Sequence, residues 1–201
     1  VLVSHTARVT VNEPSDEIDL EAWLFGLSDA DYGACAKGHL GAGVFADEQG
    51  RGMINVESIG GHLIIQHYRP VHASRASVEM YSVASRVYLF HLVPVSAAVQ
   101  WILELIPKTA TASDLTCTVQ VDLTPVLGRL AQISLLRHFL GRHVEEETVG
   151  FVADIRRKQS QTDQRTRGVA GARVNPASFG QPASSRPRVW GEDPNALPHD
   201  R

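Results

Sequence analysis

Residues 97–107 read AAVQWILELIP, and the reading of that stretch decides the fold. In an extended chain Val99, Trp101, Leu103 and Leu105 fall on one side, while Gln100 and Glu104 share the other. A period of two with one apolar face is a half-buried β-strand. Residues 115–123, LTCTVQVDL, repeat it: Cys117, Val119 and Val121 oppose Thr116, Thr118, Gln120 and Asp122. Such one-sided strands need a cover for their apolar face. The chain downstream supplies it. Leu130, Ile133, Arg137, Leu140, Val144, Phe151 and Ile155 recur at helical spacing, which predicts an amphipathic helix over 125–157 with Pro125 in its first turn. Gly128, Gly141 and Gly150 each weaken such a helix by up to about 1 kcal/mol relative to Ala, so packing must hold it.

Upstream, the pattern is strand after strand. Residues 39–46, 53–59, 62–74, 77–83 and 86–92 read as strands joined by short turns, which favours antiparallel neighbours. Residues 1–11, VLVSHTARVTV, alternate as a first strand. IDLEAWLFGL and SDADYGACAKG follow as two short helices, with Ser28 a cap for the second and Asp31 three residues on. Glycines at 41, 43, 52, 60 and 61 are candidates for bends that curve the sheet.

This order is a strand, two short helices, about six more strands and a long helix. It resembles the START/Bet v 1-like superfamily, also called SRPBCC or polyketide cyclase-like. VTVNEPSDEIDLEAWLFGLSDADY looks like that family's first strand and helix pair, and HVEEETVGFVADIRRK like the end of its terminal helix. The resemblance covers residues 1–158. It implies an α+β helix-grip fold: a curved antiparallel sheet of about seven strands wrapped on the long helix, with a cavity between them. Members carry lipids, sterols, hormones or polyketides, or act as cyclases, hydrolases or dehydratases; fold membership does not choose among them.

Bulk composition bounds the rest. The 201 residues are 43% hydrophobic with a formal charge of −3, enough for one domain and no argument for nucleic acid. Residues 1–155 hold 10 Lys/Arg and 18 Asp/Glu, residues 156–201 hold 9 and 4. Residues 159–201, with five of the ten prolines, are expected to be a disordered basic tail that offers itself to a protein partner. Cys35 and Cys117 form no CxxC motif, and a reducing cytoplasm is the expectation. No apolar run approaches the ~20 residues of a membrane span. The first residue is Val1, which leaves a trimmed leader open.

The polar candidates are few. HLIIQHYRPVHAS, 62–74, splits into a face with His62, Ile64, Gln66, Tyr68 and His72 and a face with Leu63, Ile65, His67, Arg69 and Val71. Three histidines so far apart on one strand cannot converge on a metal, and most of these side chains are expected on the sheet exterior. His5 lies among valines, either as a hydrogen-bonded core histidine or as an acid or base facing the cavity. His91 or its neighbours Tyr88 and Phe90 face inward. Arg137, on the apolar stripe, needs a carboxylate or an anionic ligand unless it reaches solvent. His143 and Glu147 in RHVEEET are four apart but lack the HExxH arrangement, and are expected on a solvated helix face. No metal or cofactor is expected, and no catalytic residue is assigned. His5, Tyr68, His91, Trp101 and Arg137 are the expected ligand contacts. A hydrophobic small molecule carried in an internal cavity is the first expectation, and a cyclase, dehydratase or hydrolase in the same cavity the alternative.

Overall fold

The computed structural model describes residues 2–123 and 133–171. Seven strands form one antiparallel sheet: β1 (Leu2–Val11), β2 (His39–Asp47), β3 (Gly50–Ile59), β4 (His62–Ala73), β5 (Ser77–Leu89), β6 (Val93–Thr109) and β7 (Ala112–Leu123). Their spatial order is β1-β7-β6-β5-β4-β3-β2. Between β1 and β2 lie α1 (Leu20–Phe25) and α2 (Asp29–Cys35), and a long helix, α3 (Ile133–Gly171), follows the last strand. Ser28 and Asp31 close a reciprocal capping box on α2. The expected helix start at Pro125 lies outside the described residues, as does the tail beyond Gly171. The helix runs 14 residues past its expected end at residue 157, so the start of the tail expected from residue 159 is helical.

The stretch that decides the fold sits in the middle of β6. Val99, Trp101, Leu103 and Leu105 are all buried, and opposite them on β7 stand Val121, Val119, Cys117 and Leu115. Two of the expected strands, 77–83 and 86–92, are one strand, β5, with a register shift between Ser82 and Ser85. Further shifts fall between Ile65 and Arg69 and between Pro70 and His72 on β4. Bulges bend and twist a sheet. The middle of this sheet is therefore bent at positions without glycine, and Pro70 sits where the ladder is already interrupted. Gly60 and Gly61 make a two-residue hairpin turn with φ of 59° and 82°.

The packed half of the interior lies under α1 and α2. Trp23 donates its indole N–H to Asp154 at 2.9 Å and meets Phe151 edge-on at 5.3 Å. Asp31 receives Arg157 at 2.5 Å and Lys158 at 3.1 Å, tying α2 to α3. Gly150 lets the two helices touch: a Cβ there would stand 2.0 Å from the carbonyl oxygen of Cys35. The compact unit built this way runs to Thr162, and a second begins at Asp163 with the last turns of α3.

Candidate functional site

The other half of the interior is hollow. A cavity of about 600 Å³ lies between the first described turns of α3, the start of β4, the end of β5, the first half of β6 and the end of β7. Its wall is mostly valine, leucine and isoleucine, with Trp101, Phe90 and Phe139. An apolar enclosure of this size with a few convergent polar groups is the ordinary form of a small-molecule site.

The polar groups converge on one wall. Glu57 of β3, and His143 and Glu147 of α3, line the cavity beside Gln66 and Tyr68 of β4. Behind them stands His39 of β2, the cross-strand partner of Glu57. All four of His39, Glu57, His143 and Glu147 are at most 8% exposed. His39 Nε2 lies 3.4 Å from Glu147 Oε2. His143 Nε2 lies 3.7 Å from Glu57 Oε2 and 3.7 Å from Glu147 Oε2. One donor atom from each of the four falls within 4.8 Å of the others.

Each group is held from behind. His39 Nδ1 lies 2.7 Å from the carbonyl oxygen of Tyr32, and the ring stacks on Tyr32 at 3.8 Å. A carbonyl only accepts, so Nδ1 carries the proton there and Nε2 is the nitrogen turned to the carboxylates. The Tyr32 hydroxyl donates to Glu57 Oε1, and Gln66 Nε2 donates to Glu57 Oε2 at 3.2 Å. The Cys117 thiol donates to Glu147 Oε1 at 3.3 Å, and Trp101 Nε1 donates to that sulfur at 3.3 Å. Gly38 clears room for the His143 ring, since a Cβ would meet Nδ1 at 3.1 Å and the Ser58 carbonyl at 2.9 Å.

The fields agree with these contacts. Burial, then the charges of Glu57 and Glu147, push the Tyr32 and Tyr68 hydroxyls well up. Burial, then Glu147, does the same to the Cys117 thiol. All three stay protonated donors at neutral pH. For His39, burial pulls downward, but the Glu147 contact and the Glu57 charge outweigh it and raise the imidazole. Two polar atoms of this wall have no hydrogen-bond partner among the described residues: Gln66 Oε1 and His143 Nε2.

Of the residues expected from sequence to contact a ligand, the structure sets Tyr68 and Trp101 on the cavity wall. His5 is inward but lies under α3, with its ring on Gly141 and its Nε2 3.6 Å from Glu145. His91 sits in the turn after β5 at φ 61° and is exposed. Burial and then the neighbouring His91 lower the pKa of His62. Arg137 is exposed, on the outer side of the helix stripe. None of these three lines the cavity. Conversely, His62 is not sheet exterior as expected: it stands at the cavity rim, accepting the Phe90 N–H at 3.1 Å. The expectation of a solvated His143 and Glu147 is also corrected. The stripe of α3 runs Leu140, Val144, Phe151, Ile155, and a helix places 143, 147 and 148 on that same buried face. Glu57 shares strand parity with the buried Met53 and Ile59. Those two parities were the available signal.

No protein-family model matches the sequence, and no curated protein does. Solved structures do. The di-domain ARO/CYC StfQ from the steffimycin biosynthetic pathway matches at a TM-score of 0.51 and 10% identity, over 80% of this chain and 53% of that one. A conserved protein from Geobacillus kaustophilus matches at 0.49 and 10%, over 77% and 96%. A START superfamily protein from Mycobacterium smegmatis matches at 0.40 and 14%, over 71% and 97%. Seven antiparallel strands in this order, closed around one long helix after the last strand, are the helix-grip fold of the START/Bet v 1-like proteins, and that is the fold of this chain.

Proposed function

We propose that the cavity takes a hydrophobic small molecule carrying a hydroxyl or carbonyl group, and that the protein acts on that group as an enzyme. One observation carries the reading: a single cluster of two carboxylates and two imidazoles is buried in the wall of an otherwise apolar enclosure. Taking a charged group out of water costs several kcal/mol even after relaxation. A carrier needs one or two polar anchors to orient its cargo. Four titratable groups exceed that need and match what acid–base or hydrolytic chemistry requires. The unpartnered Gln66 Oε1 supplies an acceptor for a ligand hydroxyl beside them.

The test is a fluorescence titration with 1-anilinonaphthalene-8-sulfonate and with unsulfonated naphthols. Wild-type protein is expected to bind one probe per chain. Ile64→Trp, which pushes an indole into the lining, is expected to weaken binding at least tenfold while leaving the far-UV spectrum unchanged. Equal binding by both proteins would place the probe elsewhere and remove the cavity from the account.

A further inference from the structure

We infer that His39, Glu57, His143 and Glu147 are the ligands of one divalent transition-metal ion of the zinc class. Zinc binds imidazole nitrogen and carboxylate oxygen at about 2.0–2.2 Å, so neighbouring ligand atoms in a tetrahedron stand about 3.3–3.6 Å apart. The three short separations in the cluster are 3.4, 3.7 and 3.7 Å. A direct hydrogen bond between imidazole and carboxylate is shorter than 3.7 Å, and His143 Nε2 accordingly has no hydrogen-bond partner. That nitrogen is buried and aimed between two carboxylate oxygens. Both carboxylates offer Oε2 to the centre while Oε1 is engaged outside it, by Tyr32 on Glu57 and by Cys117 on Glu147. His39 offers Nε2 while Nδ1 is fixed on a carbonyl. Outer contacts of this kind orient metal ligands: the Tyr32 carbonyl holds His39, the Tyr32 hydroxyl and Gln66 hold Glu57, with Gln66 on Oε2 itself, and Cys117 holds Glu147.

The donor set selects the metal. Two imidazoles with two carboxylates suit zinc or a neighbouring first-row ion, whereas calcium and magnesium prefer oxygen alone. Glu57, His143 and Glu147 border the cavity and His39 does not, so a fifth ligand, added to the four from the protein, would approach from the cavity side. At that fifth position the ion would lower the pKa of a bound water or polarise a carbonyl oxygen. The reaction class that follows is hydrolysis of an apolar carbonyl compound. The oxygen of water bonds to the carbonyl carbon, the bond from that carbon to its leaving group breaks, and the two water protons end on the acid product and the leaving group.

The chemistry rests on the cavity reading, but the ion site does not. The experiment therefore measures both. Untagged protein is dialysed against chelator, titrated with ZnCl2 and CoCl2, and analysed for metal by mass spectrometry. One zinc per chain with a raised Tm is expected, and cobalt is expected to give visible absorption of a four- or five-coordinate site. Glu147→Gln and His143→Ala are expected to lose stoichiometric binding. Tyr32→Phe, which touches no ion, is expected to weaken it about 10–100-fold. The naphthol titration is repeated on the chelated protein, where binding shows that the cavity stands whatever the metal result. No stoichiometric zinc in the wild type, or equal binding by Glu147→Gln, overturns the metal site. If His143→Ala does not fold, Glu147→Gln and Tyr32→Phe decide.

Discussion

Glu147 occupies the apolar stripe of α3 between Val144 and Phe151, and it is tolerated there because every oxygen has company. Oε1 takes the Cys117 thiol, and Oε2 faces two imidazoles. Leaving a buried acceptor short of a donor costs about 1–3 kcal/mol. Cys117→Ala is therefore expected to lower stability by about that amount in urea titration, more than the loss of a small sulfhydryl would suggest. An unchanged midpoint would mean that water reaches Oε1. The two cysteines themselves are protected. Burial, with the charges of Asp154 and Glu147 next, pushes the Cys35 thiol up to about 12, and Cys117 is raised in the same direction. The thiolate is the reactive form, so native protein at pH 8 is expected to resist iodoacetamide and urea-unfolded protein to take two labels. Rapid native labelling would contradict the burial of both side chains.

At the scale of elements, the contact of α3 with α2 makes the sharpest forecast. Propensity alone says that Gly150→Ala stabilises a helix by about 1 kcal/mol. The carbonyl of Cys35 in the path of the new methyl says the reverse. A lowered Tm is expected, and a raised one would mean that α2 does not touch the helix. The same junction sets an acid dependence. Burial opposes ionisation of Asp31, but Lys158, Ser28 and Arg157 outweigh it and hold the carboxyl below the usual range. A depressed folded value means that the unfolded chain takes the proton first as pH falls. The stability gap between wild type and Asp31→Asn is thus expected to be full above about pH 5 and to close as pH drops below about 4, read from urea midpoints across that range. Much of this layer was legible in sequence. The alternations of β6 and β7, the capping box at Ser28 and the helical stripe ending in Phe151 and Ile155 each carry their own period. The join of two expected strands into β5 was not, because its register shift at Ser82–Ser85 interrupts the alternation that marks a strand. The site was legible only in part. Trp101 follows from strand parity, whereas both faces of β4 mix polar and apolar residues, so parity alone does not choose the side of Tyr68. The four ligating groups come from β2, β3 and α3, and only tertiary closure brings His39 to within 3.4 Å of Glu147, 108 positions away.

At the scale of the whole molecule, the interior divides in two. The half under α1 and α2 is filled by Trp23, Phe151 and their neighbours, and the half beside the first described turns of α3 stays open. Register shifts in β4 and β5 bend the sheet beside the open half, and the polar wall of Glu57, Gln66, His143 and Glu147 lines that half. Among the described residues no helix is long and apolar enough to cross a membrane. This half is hollow and, apart from its polar wall, lined with hydrocarbon. Crystals of the protein pressurised with xenon test it, because xenon binds among aliphatic side chains that leave a cavity. Anomalous xenon peaks are expected among Ile64, Val95, Val99, Val121 and Leu136. Side chains closed over that volume, with no xenon between sheet and helix, would contradict it.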